Sequence, residues 1–313
     1  MTHQPAISIL SRDAQQYAAL LTQASSDLTL CQVLDTVPAD FQCAQTEVLL
    51  CDPDLGAKAV RHMPSLRWVQ STWAGVAPLL CEPQPDWQLT GIKGIFGPQM
   101  REFVLTYLLY FVRRVEAFQT LQRQSLWAPL RPGILRGKTL GLAGVGDIGR
   151  SVAEAASGLG MKVHGLSLRS RDCSTVEQYF SPSEKVAFAA SVDYLVGLLP
   201  ATDATAHLID ADMLAALPPH GVVINAGRAS TLDHSALREC LQRGHLAGAV
   251  LDVLPSEPLP DDDPLWRTPN CLITQHTAAL SHPEEIARIF INNVQKYRDG
   301  QPLNYTVDWH NGY

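Results

Sequence analysis

Short apolar runs alternate with segments of helical periodicity along almost the whole chain. Apolar runs bounded by turn-forming residues are typical of strands buried in a parallel sheet, and the helices between them are typical of the crossovers that such strands need. The pattern therefore predicts an α/β fold with parallel sheets. The predicted strands are 7–10, 28–33, 48–51 and 66–70 and, in a second series, 140–145, 163–167, 194–199, 221–225, 248–253 and 272–274.

Helical periodicity predicts one long helix at 99–121, which is apolar on most of its faces. Such a helix is typically buried, here between domains or between subunits. A linker at 125–137 follows it and contains two prolines and Trp127. We expect Trp127 to anchor this linker rather than to reach into the pocket of a neighbouring subunit. The other predicted helices are 14–24, one around Lys58, 211–217, 234–243 and 284–298.

The stretch 139–150, which reads TLGLAGVGDIGR, joins a predicted strand to a predicted helix through a glycine turn. Gly144, Gly146 and Gly149 have the G-x-G-x-x-G spacing of the dinucleotide fingerprint. One glycine permits the tight turn, the second lets the backbone approach a pyrophosphate, and the third lets helix and strand pack closely. The helix start would offer N–H groups to the phosphates. We therefore predict a bound dinucleotide, and a purely structural turn is the alternative.

The end of the second strand predicts which dinucleotide is bound. An acidic residue usually contacts the ribose of NAD at this place, but the chain has Ser167 there, followed by Arg169, Ser170 and Arg171. Hydroxyl and guanidinium groups would bind a 2′-phosphate through charge-assisted hydrogen bonds. We predict NADP in preference to NAD, and a solvated surface loop is the alternative.

Composition narrows the classes of function. The chain has 313 residues, of which 46% are hydrophobic and 18% charged, so it is long enough for one large or two ordinary domains. The formal net charge of −7 argues against a nucleic-acid surface, and the apolar run 103–112 is too short to span a bilayer. The seven cysteines are scattered without a C-x-x-C pair, and the N-terminus has no basic leader. We expect a cytoplasmic protein with no disulfides, metal site, nucleic-acid partner or membrane contact.

Three polar residues each follow a predicted strand of the second series. Arg228 follows VVINAG, Glu257 follows AVLDVLPS, and His276 follows CLITQ. In an open parallel sheet, ligands bind outside the carboxyl ends of the strands, so all three side chains should face one crevice. This placement makes them candidate catalytic residues. The structural alternatives are a surface arginine, a turn glutamate and a core or capping histidine.

These motifs together resemble the D-isomer-specific 2-hydroxyacid dehydrogenase family, most closely its glyoxylate/hydroxypyruvate reductase A branch. The similarity runs from about residue 66 to the end of the chain, and the Arg…Glu…His order is its most specific part. The matching stretches are LGLAGVGDIGR, SLRSR, VGLLPATDAT, VVINAGRAS, LDVLPSEPLPDDDPLW, ITQHTAAL and the terminal GY.

The resemblance implies a role for each candidate residue. Arg228 would bind the carboxylate of the substrate and polarise its 2-oxo group. His276 would donate a proton to that oxygen, and Glu257 would hydrogen-bond His276 and fix its tautomer. Asp252 would bond the nicotinamide amide, with a structural cap as the alternative. The other implied cofactor contacts are Gly144, Gly146, Asp147, Ile148, Gly149, Leu199, Pro200 and Ala226.

The loop 71–76, STWAGV, resembles the glycine loop whose N–H groups take the substrate carboxylate in this family. Substrate binding is therefore predicted for Trp73, Ala74 and Gly75, together with Arg228. The chain departs from the family pattern here, since Ala77 replaces the usual acidic residue and Trp73 is bulky. A simple turn is the alternative.

The resemblance also implies two Rossmann-like or flavodoxin-like domains, with the nucleotide domain inserted into the substrate domain. The substrate domain would comprise 1–98 and 286–313, and the dinucleotide-binding domain 99–285. The implied activity is reduction of a small 2-oxoacid, such as glyoxylate or hydroxypyruvate, by NADPH or NADH in a homodimer. The alternatives are a dehydrogenase for larger D-2-hydroxyacids, an enzyme for another oxyanion such as phosphite, and a non-catalytic dinucleotide-sensing protein.

Overall fold

The computed structural model describes residues 3–25, 27–80, 83–167 and 173–309. The chain separates into two compact units, one formed by Met1–Ile95 with Ser281–Tyr313 and the other by Phe96–Leu280. The second unit is thus an insertion in the first. The assignment of substrate binding to 1–98 with 286–313, and of dinucleotide binding to 99–285, stays a prediction.

Strands and helices alternate in both units. Among the described residues the strands are β1 Ala6–Leu10, β2 Thr29–Leu34, β3 Val48–Cys51, β4 Trp68–Ser71, β5 Gln88–Thr90, β6 Thr139–Ala143, β7 Lys162–Leu166, β8 Gln178–Phe180, β9 Tyr194–Gly197, β10 Val222–Asn225, β11 Gly248–Leu251 and β12 Cys271–Ile273. The α-helices are α1 Ala14–Ala24, α2 Pro53–Ala59, α3 Gly97–Val112, α4 Val115–Arg123, α5 Asp147–Gly158, α6 Lys185–Ala190, α7 Ala211–Ala216, α8 His234–Gln242 and α9 Pro283–Arg298.

The first unit is built on a parallel sheet with the strand order β2-β1-β3-β4-β5. Trp68, at the start of β4, stacks on Phe290 and Tyr297 of α9, with ring centroids 5.2 and 5.6 Å away. An antiparallel bridge joins Thr90 to Thr306. Because α9 and Thr306 come from the last part of the chain, aromatic packing and this bridge attach the C-terminal segment to the sheet.

The second unit is built on a seven-stranded parallel sheet with the order β12-β11-β10-β9-β6-β7-β8. From β6 the chain builds outward to β8 on one side, and from β9 it builds outward to β12 on the other. The neighbours β6 and β9 therefore mark the point where the strand order reverses, with Ala143 beside Gly197 at their carboxyl ends. In doubly wound sheets, ligands bind outside the carboxyl ends at this point.

The predicted fold class, with two parallel-sheet α/β units of which one is inserted in the other, is confirmed. Each predicted strand overlaps an observed one, but β5 and β8 are missing from the prediction. Their sequences, QLT and QYF, are three residues long and contain no apolar run. Periodicity alone therefore does not distinguish them from loops.

The prediction of one continuous helix over 99–121 is wrong. The segment forms two helices, α3 and α4, because Arg114 has a left-handed backbone with φ of 57°. In α3 the buried residues are Gly97, Met100, Val104 and Leu108, and α4 has none. Although this segment is apolar on most faces, most of its side chains are therefore not buried within the chain.

The predicted anchoring of the 125–137 linker by Trp127 is also wrong. The Trp127 side chain is 96% exposed, and its neighbour Leu126 is 55% exposed. A residue this exposed cannot fix the linker by packing on its own chain. Within the described residues, no helix has the length and apolar character needed to cross a membrane.

Candidate active site

The glycine turn after β6 has the geometry that the fingerprint predicts. Gly144 has φ of +103°, and a Cβ at this position would lie 2.8 Å from the carbonyl oxygen of Leu198. A Cβ at Gly149, inside α5, would overlap the carbonyl of Gly144. At Gly146 a Cβ would meet nothing within 4 Å. Two glycines thus permit tight backbone packing, and the third leaves open space at the start of α5.

The same turn has hydrogen-bond donors available. Among the described residues, the N–H groups of Val145 and Gly146 have no acceptor within hydrogen-bond distance. They stand at the start of α5, a helix of 12 residues, where the helix dipole favours a negatively charged group. A pyrophosphate would supply the acceptors that these groups lack. The turn therefore fits a dinucleotide, and the predicted contacts of Asp147 and Ile148 lie in the first turn of α5.

The residues predicted to choose between NADP and NAD are described only in part. Ser167 follows β7, and its N–H donates to the carbonyl of Phe180 over 3.0 Å. Arg169, Ser170 and Arg171 lie outside the described residues. The preference for NADP therefore stays a prediction from the sequence at these positions.

The loops after β9 and β10 pack closely beside the glycine turn. The N–H of Leu198 donates to the carbonyl of Ala143 over 2.8 Å, and that of Ala226 donates to Gly197 over 3.1 Å. A Cβ at Gly227 would lie 2.8 Å from backbone atoms of Leu199. The predicted cofactor residues Leu199, Pro200 and Ala226 therefore lie in two loops that pack on each other, and the loop after β9 also packs on the turn.

Glu257 and His276 are in direct contact at the carboxyl edge of the sheet. His276 Nδ1 lies 2.7 Å from Glu257 Oε2, and the N–H of Leu254 donates to Glu257 Oε1 over 2.9 Å. The histidine side chain is 55% exposed and the glutamate 39%. The carboxylate is thus fixed on one oxygen by its own loop and orients the imidazole with the other.

Arg228 stands near the same carboxylate, in the loop after β10. Its Nη1 donates to the carbonyl of Gly227 over 2.7 Å, and its own carbonyl accepts from Thr231 Oγ1 over 2.7 Å. Burial lowers the pKa of Arg228, although the negative charge of Glu257 acts in the opposite direction. A guanidinium stays protonated despite such a shift. The structure therefore brings the predicted Arg228, Glu257 and His276 together on one edge of the second unit.

Asp252 stabilises this edge of the sheet through several hydrogen bonds. Directly after β11, its carboxylate is buried and accepts from Thr274 Oγ1 over 2.6 Å and from the N–H groups of Thr277 and Ala278 over 2.8 and 3.1 Å. Its backbone carbonyl accepts from the N–H of His276 over 2.7 Å. Asp252 therefore holds the turn that carries the candidate acid–base residue. The predicted contact of Asp252 with nicotinamide stays a prediction.

The turn that Asp252 holds has an unusual backbone. Gln275 and His276 both have positive φ, 55° and 58°, although neither is glycine. Residues other than glycine adopt this region rarely and at a cost of about 1–3 kcal/mol. The hydrogen bonds from residues 274–278 to Asp252 offset that cost. This role agrees with the structural cap that is the alternative interpretation of Asp252 from the sequence. The link between Asp252 and the turn of His276 was not predicted; the Thr274–Thr277 pair is the signal in the sequence, because hydroxyl residues favour turns.

The predicted substrate loop lies at the carboxyl edge of the first unit. Ser71 Oγ donates to the carbonyl of Trp73 over 2.7 Å and accepts from the Trp73 N–H over 3.0 Å. Within the described part of the chain, the N–H groups of Ala74 and Gly75 have no acceptor. The loop is thus a fixed turn with two free donors, which is a geometry suited to an anion.

The described residues contain no group of three or more His, Cys, Asp or Glu side chains arranged to hold a metal ion. The six cysteines among them are free thiols.

Comparison with known proteins gives consistent findings. The family described as D-isomer specific 2-hydroxyacid dehydrogenase, NAD binding domain, matches residues 105–278. A glyoxylate/hydroxypyruvate reductase A from Serratia proteamaculans is 35% identical over 215 residues, which cover 69% of each chain.

Solved structures are similar over nearly the full length. A D-isomer specific 2-hydroxyacid dehydrogenase family protein from Aeromonas salmonicida is 35% identical with a TM-score of 0.90, covering 98% of this chain and all of its own. An NADPH-dependent glyoxylate/hydroxypyruvate reductase from Sinorhizobium meliloti, solved with NADP and sulfate, is 29% identical with a TM-score of 0.87. The match to that structure covers 99% of this chain and 100% of the other.

We predict that Asp252→Ala destabilises the turn at 274–278. The change leaves the buried N–H of Ala278 without an acceptor, which should lower the free energy of unfolding by about 1–3 kcal/mol. Urea denaturation followed by fluorescence measures this value. Asp262→Ala, which removes an exposed carboxylate of the same unit, is the control and should change the value by less than about 0.5 kcal/mol. Equal effects of the two substitutions would contradict the assignment.

Proposed function

Because the chain belongs to the D-isomer specific 2-hydroxyacid dehydrogenase family, we propose that it reduces a small 2-oxoacid of the glyoxylate or hydroxypyruvate type with NADPH. The predicted resemblance and the predicted enzyme class, an NAD(P)-dependent oxidoreductase, are confirmed. The small substrate and the catalytic residues are part of this proposal. The cytoplasmic location and the absence of a nucleic-acid partner stay predictions.

The observation that supports the proposal most strongly is the Glu257–His276 hydrogen bond of 2.7 Å beside Arg228. With Nδ1 engaged by a carboxylate, Nε2 is the nitrogen left to exchange a proton with the substrate. His276 is therefore the proposed acid, and Glu257 is the residue that orients it.

A 2-oxoacid needs one group that neutralises its carboxylate and another that stabilises the oxygen becoming an alkoxide. The Arg228 guanidinium can do both, because its planar fork donates several hydrogen bonds at once. Its partial burial strengthens such contacts, since water does not compete for them. When bound, a nicotinamide would supply the hydride for carbon 2, and His276 would donate the proton to the oxygen on that carbon.

Other groups of the chain are proposed to bind the phosphates of the cofactor and the carboxylate of the substrate. The Val145 and Gly146 N–H groups would hold the pyrophosphate, and Ser167 with Arg169 and Arg171 would hold the 2′-phosphate. The free N–H groups of Ala74 and Gly75 would bind the carboxylate of the substrate.

We also infer a homodimer that forms through an apolar surface of the second unit. This arm surface, as we call it, contains large apolar side chains exposed by 40–96% over a short stretch of sequence. Exposed apolar surface concentrated in this way is typical of a protein–protein interface. A second copy of the chain would bury these exposed apolar side chains. Its members are Leu109, Phe118, Leu126, Trp127 and Ile134.

We predict that His276→Gln lowers kcat for glyoxylate reduction by about 10²–10⁴-fold, the usual contribution of a general acid. Binding of NADPH, followed by its fluorescence, should be unchanged. His282→Gln, at an exposed histidine of the same chain, is the control and should keep the activity of the wild type. An active His276→Gln variant would refute the proposed role of His276.

We predict that kcat/KM is larger with NADPH than with NADH by about tenfold or more, because one charge-assisted hydrogen bond contributes about 1.5–3 kcal/mol. Arg169→Ala and Arg171→Ala should each reduce kcat/KM for NADPH and leave that for NADH nearly unchanged. Arg243→Ala, at an exposed arginine of α8's C-terminal end, is the control. A clear preference of the wild type for NADH would contradict the assignment of these arginines.

We predict that the protein has twice the mass of one chain in size-exclusion chromatography with light scattering. The double substitution Trp127→Ser with Ile134→Ser should shift it towards the monomer, because it removes apolar area from the arm surface. Val186→Ser, at a side chain that is 46% exposed elsewhere in the same unit, is the control. A monomeric wild type would overturn the homodimer.

A further inference from the structure

A cluster of polar and charged side chains lies at the carboxyl edge of the first sheet, around the loop 71–76. Arg12 follows β1, Asp52 follows β3, and Thr72 and Trp73 follow β4. The strands β1, β3 and β4 are consecutive neighbours in the sheet. Parallel pairing therefore brings these loops, which are distant in sequence, to the same place.

Asp52 is the centre of this cluster, with a side chain that is 5% exposed. Its Oδ2 accepts from the N–H and from Nη1 of Arg12, each over 3.0 Å, and its Oδ1 accepts from Thr72 Oγ1 over 2.6 Å. A buried carboxylate is stable only when its oxygens are paired in this way. Asp52 therefore connects the loop after β1 to the loop that carries Trp73.

A second carboxylate fixes the guanidinium of Arg12. Its Nη2 lies 2.7 Å from Asp54 Oδ2, and its Nη1 lies 3.1 Å from Asp54 Oδ1, which is a bidentate pair. Planar bidentate contacts fix orientation as well as position. Asp52 and Asp54 therefore both pair with the guanidinium, whose central carbon lies over the ring of Trp73.

Trp73 is held both by its backbone and by its ring. Ser71 Oγ bonds the N–H and the carbonyl of Trp73, and the guanidinium carbon of Arg12 lies 5.5 Å from the centre of the indole. A cation at this distance from the face of an indole attracts it. The ring is half-buried and cannot move away without breaking that contact. The side chain of Trp73 is thus held by a cation–π contact, and its backbone is held by two hydrogen bonds.

The place of Trp73 in the loop affects which substrates can bind. Trp73 directly precedes Ala74 and Gly75, whose N–H groups are the proposed site for the carboxylate. In a 2-oxoacid the variable group R is attached to the carbon next to that carboxylate. We propose that Trp73, fixed by Arg12, is a specificity-determining residue that restricts R to hydrogen or to a group as small as hydroxymethyl. This inference rests on the proposed function of the loop and deepens it.

The test compares substrates that differ only in the length of R. The kcat/KM values for glyoxylate and for 2-oxopentanoate are measured with NADPH, on the wild type, Trp73→Ala and Trp73→Phe. Because accommodation of one methylene changes discrimination by about 10–200-fold, Trp73→Ala should raise the 2-oxopentanoate/glyoxylate ratio by about tenfold or more. Trp73→Phe should give a smaller rise.

Arg12→Lys tests the contribution of the guanidinium. The substitution keeps a positive charge beside Asp52, but an ammonium cannot form the planar pair with Asp54 or stack on the indole in the same way. We expect the substrate ratio to rise in the same direction as for Trp73→Ala, by a few-fold. Arg67→Ala, at an exposed arginine of the same unit, is the matched control and should leave the ratio unchanged.

The outcomes separate this inference from the proposed function. A wild type that reduces neither substrate refutes the proposed function. A wild type that reduces glyoxylate, with variants whose ratio stays that of the wild type, overturns the role of Trp73 and leaves the proposed function intact. Equal losses for both substrates, accompanied by a lower thermal unfolding temperature, would show that Trp73 only supports the fold. In that case Trp73→Phe, which keeps an aromatic ring, should restore both activities together.

Discussion

The candidate active site depends on the hydrogen bonds between the carboxylate of Asp252 and the turn after β12. Two consecutive residues of that turn, Gln275 and His276, have backbone conformations that are unfavourable for side chains with a Cβ. The buried carboxylate accepts from Thr274, Thr277 and Ala278 and so stabilises this backbone. A histidine held in this way can meet Glu257 without any adjustment of the loop, which is the preorganisation that acid–base catalysis needs.

The sequence was sufficient for the parts of the molecule that depend on local pattern. The apolar runs located ten strands, and the glycine spacing located the turn whose geometry excludes side chains at Gly144 and Gly149. The polar residues after β10, β11 and β12 were predicted to meet because parallel strands end at a common edge. The contact of Glu257 with His276 has that arrangement.

What the sequence did not predict depends on contacts between distant segments. Nothing in the apolar pattern of 99–121 indicates that Arg114 takes a left-handed backbone and divides the helix, since the break needs one residue and not a change of composition. Exposure of Trp127 could not be predicted either, because burial depends on the surface that the rest of the chain offers. The hydrogen bonds that Asp252 accepts depend on the pairing of β11 with β12, which brings the loop after β12 beside Asp252.

In both sheets a buried aspartate stabilises the loops at the carboxyl edge, and these aspartates account for the positions of the candidate residues. Asp52 directly follows β3, Asp252 directly follows β11, and both are buried. Asp52 accepts hydrogen bonds from the loops after β1 and β4, and Asp252 accepts them from the loop after β12. Strand ends in a parallel sheet leave backbone donors unpaired, and a buried carboxylate at the first loop position satisfies donors from several loops at once. In one unit the loop held in this way carries Trp73, and in the other it carries His276. A single structural solution therefore fixes the residue proposed to select the substrate and the residue proposed to protonate it.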